Sequence, residues 1–340
     1  MRRAVVSLVL VVVLLPFATS YGIERPGTTA YQFLKLNAGV RGVGMGNALV
    51  AGATDATAMF WNPSGLGWME MREAVLTHVN LPAEINYDLA ALAWPAGELG
   101  VFGVQFGVLH MDDMEVRTAE QPDGTGELFT ASDIQVGASF AKMVTDRFVF
   151  GLTGKYVREE LAEYVSNSMT FDIGLQYQTG FRSMKLGMVL LNYGPDVTFD
   201  GTFLDYRQSA GTTGEVEERS FEEARQPVSF KAGVIADIES MAGMEMGGNM
   251  SGLVALQFEH PSDNKERVNS GLELMYGPLA LRAGYNFNYD ADSFTLGFGV
   301  RQEFSGRAVK FDYAYADMGD MTDTSSFMNQ PHRFALAVEF

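Results

Sequence analysis

The sequence predicts an all-β protein, a transmembrane antiparallel up-and-down β-barrel of about fourteen strands. Three observations predict it: a two-residue hydrophobic period over most of the chain, loops that alternate between long and short, and an apolar last segment ending on Phe340. The 340 residues include 37 glycines and no cysteine, and the net charge is −18. The composition therefore excludes a disulfide-stapled domain and a thiolate zinc site, and it gives no electrostatic basis for binding nucleic acid.

Residues 1–20 are predicted to be a secretory signal peptide. Two arginines form its positive start, an apolar run follows over 4–17, and small residues precede a cleavage site near Ser20 or Gly22. The apolar run is shorter than the ~20 residues that a spanning helix needs, which disfavours a membrane anchor. We therefore expect an exported protein.

Residues 21–71 do not alternate, and they are predicted to form a partly helical plug, or hatch, inside the barrel lumen. Short helices are expected within 28–36 and 55–60, the second capped by Asp55 and stopped before Pro63. A glycine string over 39–46 lies between them. It does not match the dinucleotide motif GxGxxG and no predicted strand precedes it, so close backbone packing is the preferred interpretation.

Residues 72–340 are predicted to form the barrel. Between Met169 and Tyr177, for example, five bulky apolar residues alternate with threonine, aspartate, glycine and glutamine. The second face is rich in glycine and polar residues but seldom charged, which suits a lumen, while the bulky face suits outer-membrane lipid. With bounds good to about three residues, the predicted strands are 72–80, 86–94, 98–110, 131–142, 147–158, 168–178, 183–193, 227–238, 251–260, 266–276, 279–289, 293–304, 308–317 and 332–340.

The connections between these segments carry independent information. Links that leave odd-numbered strands tend to be long, as at 111–130, 159–167, 194–226 and 318–331, and links that leave even-numbered strands are mostly short. Outer-membrane barrels have long external loops and short periplasmic turns. An even number of strands then predicts that both termini are periplasmic and that the protein lies in the cell outer membrane.

The last segment resembles the C-terminal signal by which bacterial outer-membrane barrels are recognised for assembly. Its outward stripe comprises Phe334, Leu336, Val338 and Phe340. Such an edge strand can pair with a foreign strand, so the barrel assembly machinery is an expected partner. The alternative is a final strand that happens to end in phenylalanine.

No pattern in the sequence indicates catalysis. The four histidines are scattered, each near a predicted strand end, and no HExxH or Gly-x-Ser-x-Gly motif occurs. The acidic pair Asp112-Asp113 falls in a loop, where solvation is the preferred interpretation and weak calcium binding is the alternative. We therefore expect no enzymatic activity, no metal and no cofactor.

The run LNAGVRGVGMGNALVAGATDATAMFWNPSGLG, residues 36–67, resembles the N-terminal hatch of the PorV/PorQ family, within the FadL-like outer-membrane barrels. The shared pattern is a glycine-rich stretch, an Asp-Ala pair among small residues, and then Asn-Pro-[Ala/Ser]-Gly. In this chain the candidate hatch and gating residues are Gly42, Gly44, Gly46, Asp55, Trp61, Asn62, Pro63 and Gly65. Ser64 stands where alanine is commoner, which is a conservative departure.

The resemblance implies two functions that the sequence does not separate. In the first, the barrel is a passive conduit or binding barrel for hydrophobic small molecules, and the glycines with Asn62 and Pro63 let the hatch switch between two packings. In the second, the barrel is an accessory of type IX secretion that binds secreted proteins at the outer membrane. The first needs transport of a small molecule, whereas the second needs outer loops that bind protein.

Overall fold

The computed structural model describes residues 27–37, 39–205, 217–243, 246–289, 293–317 and 330–340, so the predicted signal peptide lies outside the described residues. Within them, fourteen strands form one closed barrel in which each strand pairs antiparallel with its neighbours in sequence and β1 pairs with β14. The predicted fold class and strand number are confirmed. The strands are β1 Glu73–Asn80, β2 Asn86–Pro95, β3 Val101–His110, β4 Ala131–Thr145, β5 Phe148–Leu161, β6 Tyr164–Gln178, β7 Lys185–Tyr193, β8 Ser229–Asp237, β9 Met250–Pro261, β10 Arg267–Tyr276, β11 Leu279–Phe287, β12 Phe294–Phe304, β13 Arg307–Ala316 and β14 His332–Glu339.

Several smaller elements are not part of the barrel wall. The α-helices are α1 Val40–Gly44, α2 Ala58–Trp61 and α3 Ile238–Ala242, and 3₁₀ turns occur at Gln32–Lys35, Pro63–Trp68 and Gly97–Leu99. Two short hairpins pair Met114–Glu115 with Leu128–Phe129 and Thr202–Asp205 with Glu217–Ser220. In the part of the chain that the structure describes, no helix is long and apolar enough to cross a membrane.

One predicted loop is wrong. Residues 159–167 were expected to form a long link, but β5 and β6 stay paired up to Leu161 and Tyr164 and are joined by a two-residue turn. Charged residues such as Arg158 and Glu160 hide this extension in the sequence. A paired hairpin needs no apolar face where it projects into water, so the hydrophobic period ends before the strands do.

The two faces of the wall are the reverse of those in a water-soluble barrel. On β6, Phe171 and Ile173 are 48% and 41% exposed, while the alternating Thr170 and Asp172 are 0% and 1% exposed. The same alternation places bulky residues outward along the other strands. An apolar exterior around a polar interior is the pattern that a lipid bilayer requires.

The chain before β1 lies inside the lumen. Helix α1 contacts β11 to β14, whereas the 3₁₀ turn Pro63–Trp68 contacts β3 to β6 on the other side of the barrel. The chain therefore touches opposite walls. We refer to residues 27–71 as the N-terminal segment.

The N-terminal segment runs the length of the lumen. We call the end of the barrel with the links that leave odd-numbered strands the long-loop end, and the opposite end the short-turn end. At the long-loop end, Thr29 forms a parallel bridge with Arg225 in the β7–β8 loop, and Lys35 lies 2.6 Å from Asp263 in the β9–β10 loop. The start of β1 and the end of β14 lie at the short-turn end, as predicted. The N-terminus itself lies outside the described residues; within them, the segment starts at the long-loop end and crosses the barrel to reach β1.

Wall glycines allow the segment to approach the strands closely. A Cβ atom added to Gly151 on β5 would lie 2.2 Å from the Ser64 backbone nitrogen, and one added to Gly284 on β11 would lie 2.0 Å from that of Gly46. Both distances are shorter than van der Waals contact. These wall positions are therefore restricted to glycine by the backbone of the segment.

We expect Gly151→Ala to destabilise the barrel by about 1–3 kcal/mol, because the added methyl group meets backbone that cannot rotate away. Gly154→Ala on the same strand is the matched control, since its added Cβ meets nothing closer than 3.6 Å. Urea unfolding in detergent micelles, followed by heat-modifiable gel mobility, measures both. Equal midpoints for the two variants would contradict the packing role of Gly151.

Candidate functional site

The predicted glycine string is a packing device. An added Cβ on Gly42 would lie 2.3 Å from the indole ring of Trp61, and one on Gly44 would lie 3.0 Å from the Cα of Gly297 on β12. Gly46 has a positive φ of 63° and donates its N–H to the Thr295 hydroxyl at 3.0 Å. The string thus lets α1 contact both the wall and Trp61.

Trp61 is the largest side chain in the core of the segment and is 1% exposed. Its indole lies against Gly39 and Gly42, and the Lys231 ammonium group is 5.9 Å from the ring centroid. The indole Nε1 is buried and has no hydrogen-bond partner among the described residues. Trp61 therefore contributes packing to this site.

Asn62 joins the segment to the wall. Its Nδ2 group donates to the carbonyl oxygens of Val50 at 2.9 Å and Leu175 at 3.1 Å, and the second of these belongs to β6. Its Oδ1 atom accepts from the Ser64 N–H at 3.2 Å and the Ser64 hydroxyl at 2.6 Å. Asn62 is fully buried, so it both caps the next turn and satisfies carbonyls that water cannot reach.

Pro63 and Gly65 complete the same turn. Pro63 is its first residue, a position where the missing N–H costs nothing. An added Cβ on Gly65 would lie 2.1 Å from the Ala53 carbonyl oxygen. The motif residues from Asn62 to Gly65 therefore form one folded unit, although they are not catalytic groups.

The predicted helices are shorter than expected. Only Gln32–Lys35 is helical within 28–36, as a 3₁₀ turn, and α2 begins at Ala58 instead of at position 55. Asp55 still acts locally, because its carboxylate accepts from the Thr57 N–H at 2.9 Å and from the Thr57 hydroxyl. It caps the turn that leads into α2.

An ion-pair network ties the segment to the wall at the short-turn end. The Arg41 guanidinium binds Glu273 on β10 in a bidentate manner, at 2.7 Å and 2.9 Å. Arg282 on β11 also binds Glu273, at 2.6 Å, and it contacts Asp312 on β13 at 2.5 Å. Burial lowers the pKa of Arg41, but the Glu273 carboxylate more than offsets this, so the net pKa shift is upward.

A second network lies beside the first. Lys310 on β13 bridges Glu73 on β1, at 3.0 Å, and Glu339 on β14, and Arg301 binds Glu339 at 2.9 Å. Glu73 also accepts the Ala56 N–H at 2.9 Å. The two networks border a cavity of about 340 Å³. The short-turn end of the lumen is therefore charged, with acids and bases paired.

Sequence reasoning did not find these networks. Arg41 and Glu273 lie 232 positions apart, and no local motif connects them. The available signal was a set of charged residues on the lumen-facing side of the predicted strands, such as Glu273, Arg282 and Asp312. Their pairing depends on strand register, which the sequence alone did not fix.

The long-loop end is mainly apolar and tightly packed. Tyr31, Phe33, Tyr87, Leu89 and Val157 form one buried cluster. The cavity beside it holds only about 30 Å³, which is roughly the share of one water molecule. At this level of the barrel the N-terminal segment therefore leaves little free volume beside the cluster.

Asp263 fastens the segment at this end. It accepts hydrogen bonds from Thr29 at 2.7 Å and Lys35 at 2.6 Å, and its side chain is 2% exposed. Burial raises the pKa of Asp263, but the hydrogen bonds from Lys35 and Thr29 outweigh burial and leave the pKa below its ordinary value. The loop and the segment are therefore linked by a charge-assisted contact.

The terminal stripe lies where the sequence placed it. Phe334, Leu336, Val338 and Phe340 are outward and between 36% and 48% exposed, whereas the intervening Ala335 and Ala337 are buried. Among the described residues no group of three or more histidine, aspartate or glutamate side chains is arranged to hold a metal ion. The predicted site residues thus fall into two separate places, the lumen and the lipid-facing side of β14.

A closed, even-stranded barrel with an apolar exterior and a polar interior is an outer-membrane β-barrel, and the outer membrane is its location. The family model described as "Type IX secretion system protein PorV" matches residues 22–201. The chain belongs to the PorV family, which confirms the resemblance carried by residues 36–67.

Solved structures agree on the fold. A Pseudomonas aeruginosa FadL homologue is 11% identical, with a TM-score of 0.53, over 88% of this chain and 97% of that chain. The CymD monoaromatic hydrocarbon channel is 14% identical, with a TM-score of 0.52, over 89% and 96%. The Pseudomonas putida toluene transporter TodX is 11% identical, with a TM-score of 0.52, over 88% and 96%. No curated protein matches the sequence.

We expect Glu273→Gln to be more damaging than Arg41→Met. The first change leaves two buried guanidinium groups without their shared carboxylate and costs about 3 kcal/mol. The second leaves Glu273 paired with Arg282, so we expect a loss of about 1–2 kcal/mol. Urea unfolding of both variants in detergent gives the comparison. A larger loss for Arg41→Met would mean that Glu273 is not the centre of the network.

We expect Asp263→Asn to destabilise the barrel by about 1–2 kcal/mol at pH 7. Because the folded pKa of Asp263 is depressed, its contribution is present above the ordinary pKa of about 4 and is lost as the pH falls through the folded pKa. The difference in unfolding midpoint between wild type and Asp263→Asn should therefore shrink below about pH 4. Exposed Asp146→Asn is the control, and an unchanged difference at low pH would contradict the assignment.

Proposed function

We propose that this barrel binds apolar cargo at the outer membrane and that the N-terminal segment acts as a hatch that shifts to admit or release the cargo. The polar wall beneath the hatch is the observation that carries this proposal. Buried wall residues that surround the hatch include Gln105, Gln135, Thr153, Gln176, Gln257 and Thr295. Water can replace the hatch as the partner of such groups, which lowers the polar cost of hatch movement, whereas the buried apolar cluster that Met59 and Trp61 share with wall residues such as Val149 opposes it.

The cargo class is supported by the mouth of the lumen and by the neighbours. The apolar cluster around Tyr31, Phe33 and Tyr87 lies on the long-loop side of the hatch, where cargo from outside arrives. Two structural neighbours are a monoaromatic hydrocarbon channel and a toluene transporter. Apolar small molecules are therefore the cargo that this proposal assigns.

The two ends of the lumen make hatch movement necessary. The cavity of about 30 Å³ beside the apolar cluster is too small for an apolar molecule, and the short-turn end carries the Arg41 and Lys310 networks. An apolar molecule that passed these ion pairs directly would desolvate charges without compensating them. Binding therefore precedes passage, and passage requires a second packing of the hatch.

A disulfide that fixes the hatch tests this proposal. The chain has no cysteine, so Gly67→Cys/Val149→Cys introduces a single defined pair. The added Cβ of Gly67 lies 3.6 Å from the Val149 Cβ, within the range that disulfides use. In liposomes, we expect the oxidised variant to lose at least about tenfold in uptake of labelled toluene, and reduction to restore it.

The matched control places the disulfide within the wall. Ser139 and Thr153 are cross-strand partners with hydroxyl oxygens 2.8 Å apart, so Ser139→Cys/Thr153→Cys joins β4 to β5 without touching the hatch. Its uptake should not change on oxidation. Equal uptake by the oxidised hatch variant and its reduced form would refute the gating role.

A second candidate function rests on the family match. The matching family is described as a type IX secretion protein, which favours an accessory that binds secreted proteins. Leu128 and Leu161 are 64% and 45% exposed at the long-loop end, where such a protein would dock. A producing cell that secretes no proteins with type IX C-terminal sorting domains would exclude this function, whereas capture of such domains by the purified barrel would favour it over small-molecule transport.

A further inference from the structure

The lipid-facing side of the barrel is indented where β14 and β1 close it. A groove of about 410 Å³ lies across this seam. Strand register explains its shape, because one cross-strand row over five neighbouring strands consists of Phe311, Leu336, Leu76, Ala90 and Phe106. Ala90 has the smallest side chain of the row, and the larger side chains beside it form the sides of the groove. We call this feature the outer-wall groove, lined on its lipid-facing side by Leu76, Ala90, Phe106, Phe311, Phe334 and Leu336.

The same face becomes polar toward the long-loop end. The next row on these five strands is Tyr313, Phe334, His78, Asp88 and Val108, and the row after it is Tyr315, His332, Asn80, Asn86 and His110. The long-loop end of an outer-membrane barrel is the external end. The outer-wall groove therefore runs from the depth of the acyl chains toward the headgroups of the outer leaflet.

Three ionisable side chains meet at the headgroup end of the groove. The Asp88 carboxylate lies 2.6 Å from His78 Nδ1 and 3.1 Å from His110 Nε2. All three side chains are 44–45% exposed on the lipid-facing side. Ionisable groups on that face are costly unless they lie near the interface and are bonded to one another, so their grouping places this end of the groove at the level of the lipid headgroups.

The bonding within this cluster defines what it recognises. Asp88 lies against Nδ1 of His78 and Nε2 of His110, which leaves His78 Nε2 and His110 Nδ1 as the ring nitrogens that are not bonded to it. The two Asp88 carboxylate oxygens are further acceptors. A sugar headgroup matches this cluster, because its hydroxyl groups can both donate and accept hydrogen bonds.

We propose that the outer-wall groove is a binding site for one outer-leaflet glycolipid. An acyl chain occupies the groove over Ala90, and sugar hydroxyls donate hydrogen bonds to the cluster of His78, Asp88 and His110. The site faces the bilayer and shares no residue with the hatch, so it is independent of the proposed transport function.

Native mass spectrometry tests the proposal on the full-length barrel in detergent. The probes are monoglucosyl diacylglycerol and phosphatidylcholine with identical acyl chains, because phosphatidylcholine has no hydrogen-bond donor in its headgroup. We expect one glucolipid to be retained per barrel, with about tenfold preference over phosphatidylcholine. Equal retention of the two lipids would overturn the proposal, and so would stronger retention of phosphatidylethanolamine, whose ammonium group also donates.

Variants separate the tail and the headgroup contributions. Ala90→Trp fills the groove and should lower glucolipid retention about tenfold, while Asp88→Asn removes the charge and should reduce the preference over phosphatidylcholine. Ala138→Trp is the control, since Ala138 is an exposed outward alanine on β4 outside the groove. Heat-modifiable gel mobility verifies folding, and Ala90→Leu replaces Ala90→Trp if the larger side chain prevents folding. Unchanged retention in a folded groove variant contradicts the site.

Discussion

The structure depends on one constraint: in a bilayer, every backbone N–H and C=O group of a spanning strand must be paired within the protein. Closure of β14 onto β1 removes the free edges, and the two-residue side-chain period then sends alternate residues to lipid and to the lumen. The polar side chains on the lumen side must consequently find hydrogen-bond partners other than lipid. In this barrel the partner is the N-terminal segment, which is why polar wall residues that hydrogen-bond to it, such as Gln176 and Thr295, are fully buried.

The contact between the segment and the wall includes close backbone approaches. Gly46 approaches Gly284 at a distance that excludes a Cβ on Gly284, and an added Cβ on Gly44 or Gly297 would lie 3.0 Å from the Cα of the other. Side-chain hydrogen bonds such as that from Asn62 to the Leu175 carbonyl then fix the orientation. Close approach and polar bonding act together with a buried apolar cluster in which Met59 and Trp61 of the segment join Val149 and Ile235 of the wall.

The sequence was sufficient for the features that depend on local periodicity. Alternation on segments such as 168–178 predicted strands whose bounds lie within three residues of those observed, except at the start of β6. It failed where the hydrophobic period is uninformative, as in the hairpin around Arg158 and Glu160, which projects into water. It could not give the pairing of Arg41 with Glu273, because that contact depends on where the segment rests along β10, and nothing near either residue encodes this.

Register also explains why the lipid-facing surface is not uniform. A single slip of β2 against β1 would move Ala90 away from Leu76 and His78 away from Asp88, so the indentation and the polar cluster exist only together and only in this register. The pairing of Leu336 with Leu76 adds the third strand, which means that this surface forms when the barrel closes. Residues on β14 thus have two roles: Phe334 and Leu336 belong to the terminal stripe and also to the wall of the groove. A substitution of Phe334 or Leu336 therefore affects both the closing strand and the groove. A substitution outside the terminal stripe, such as one at Ala90, changes the groove without changing the closing strand.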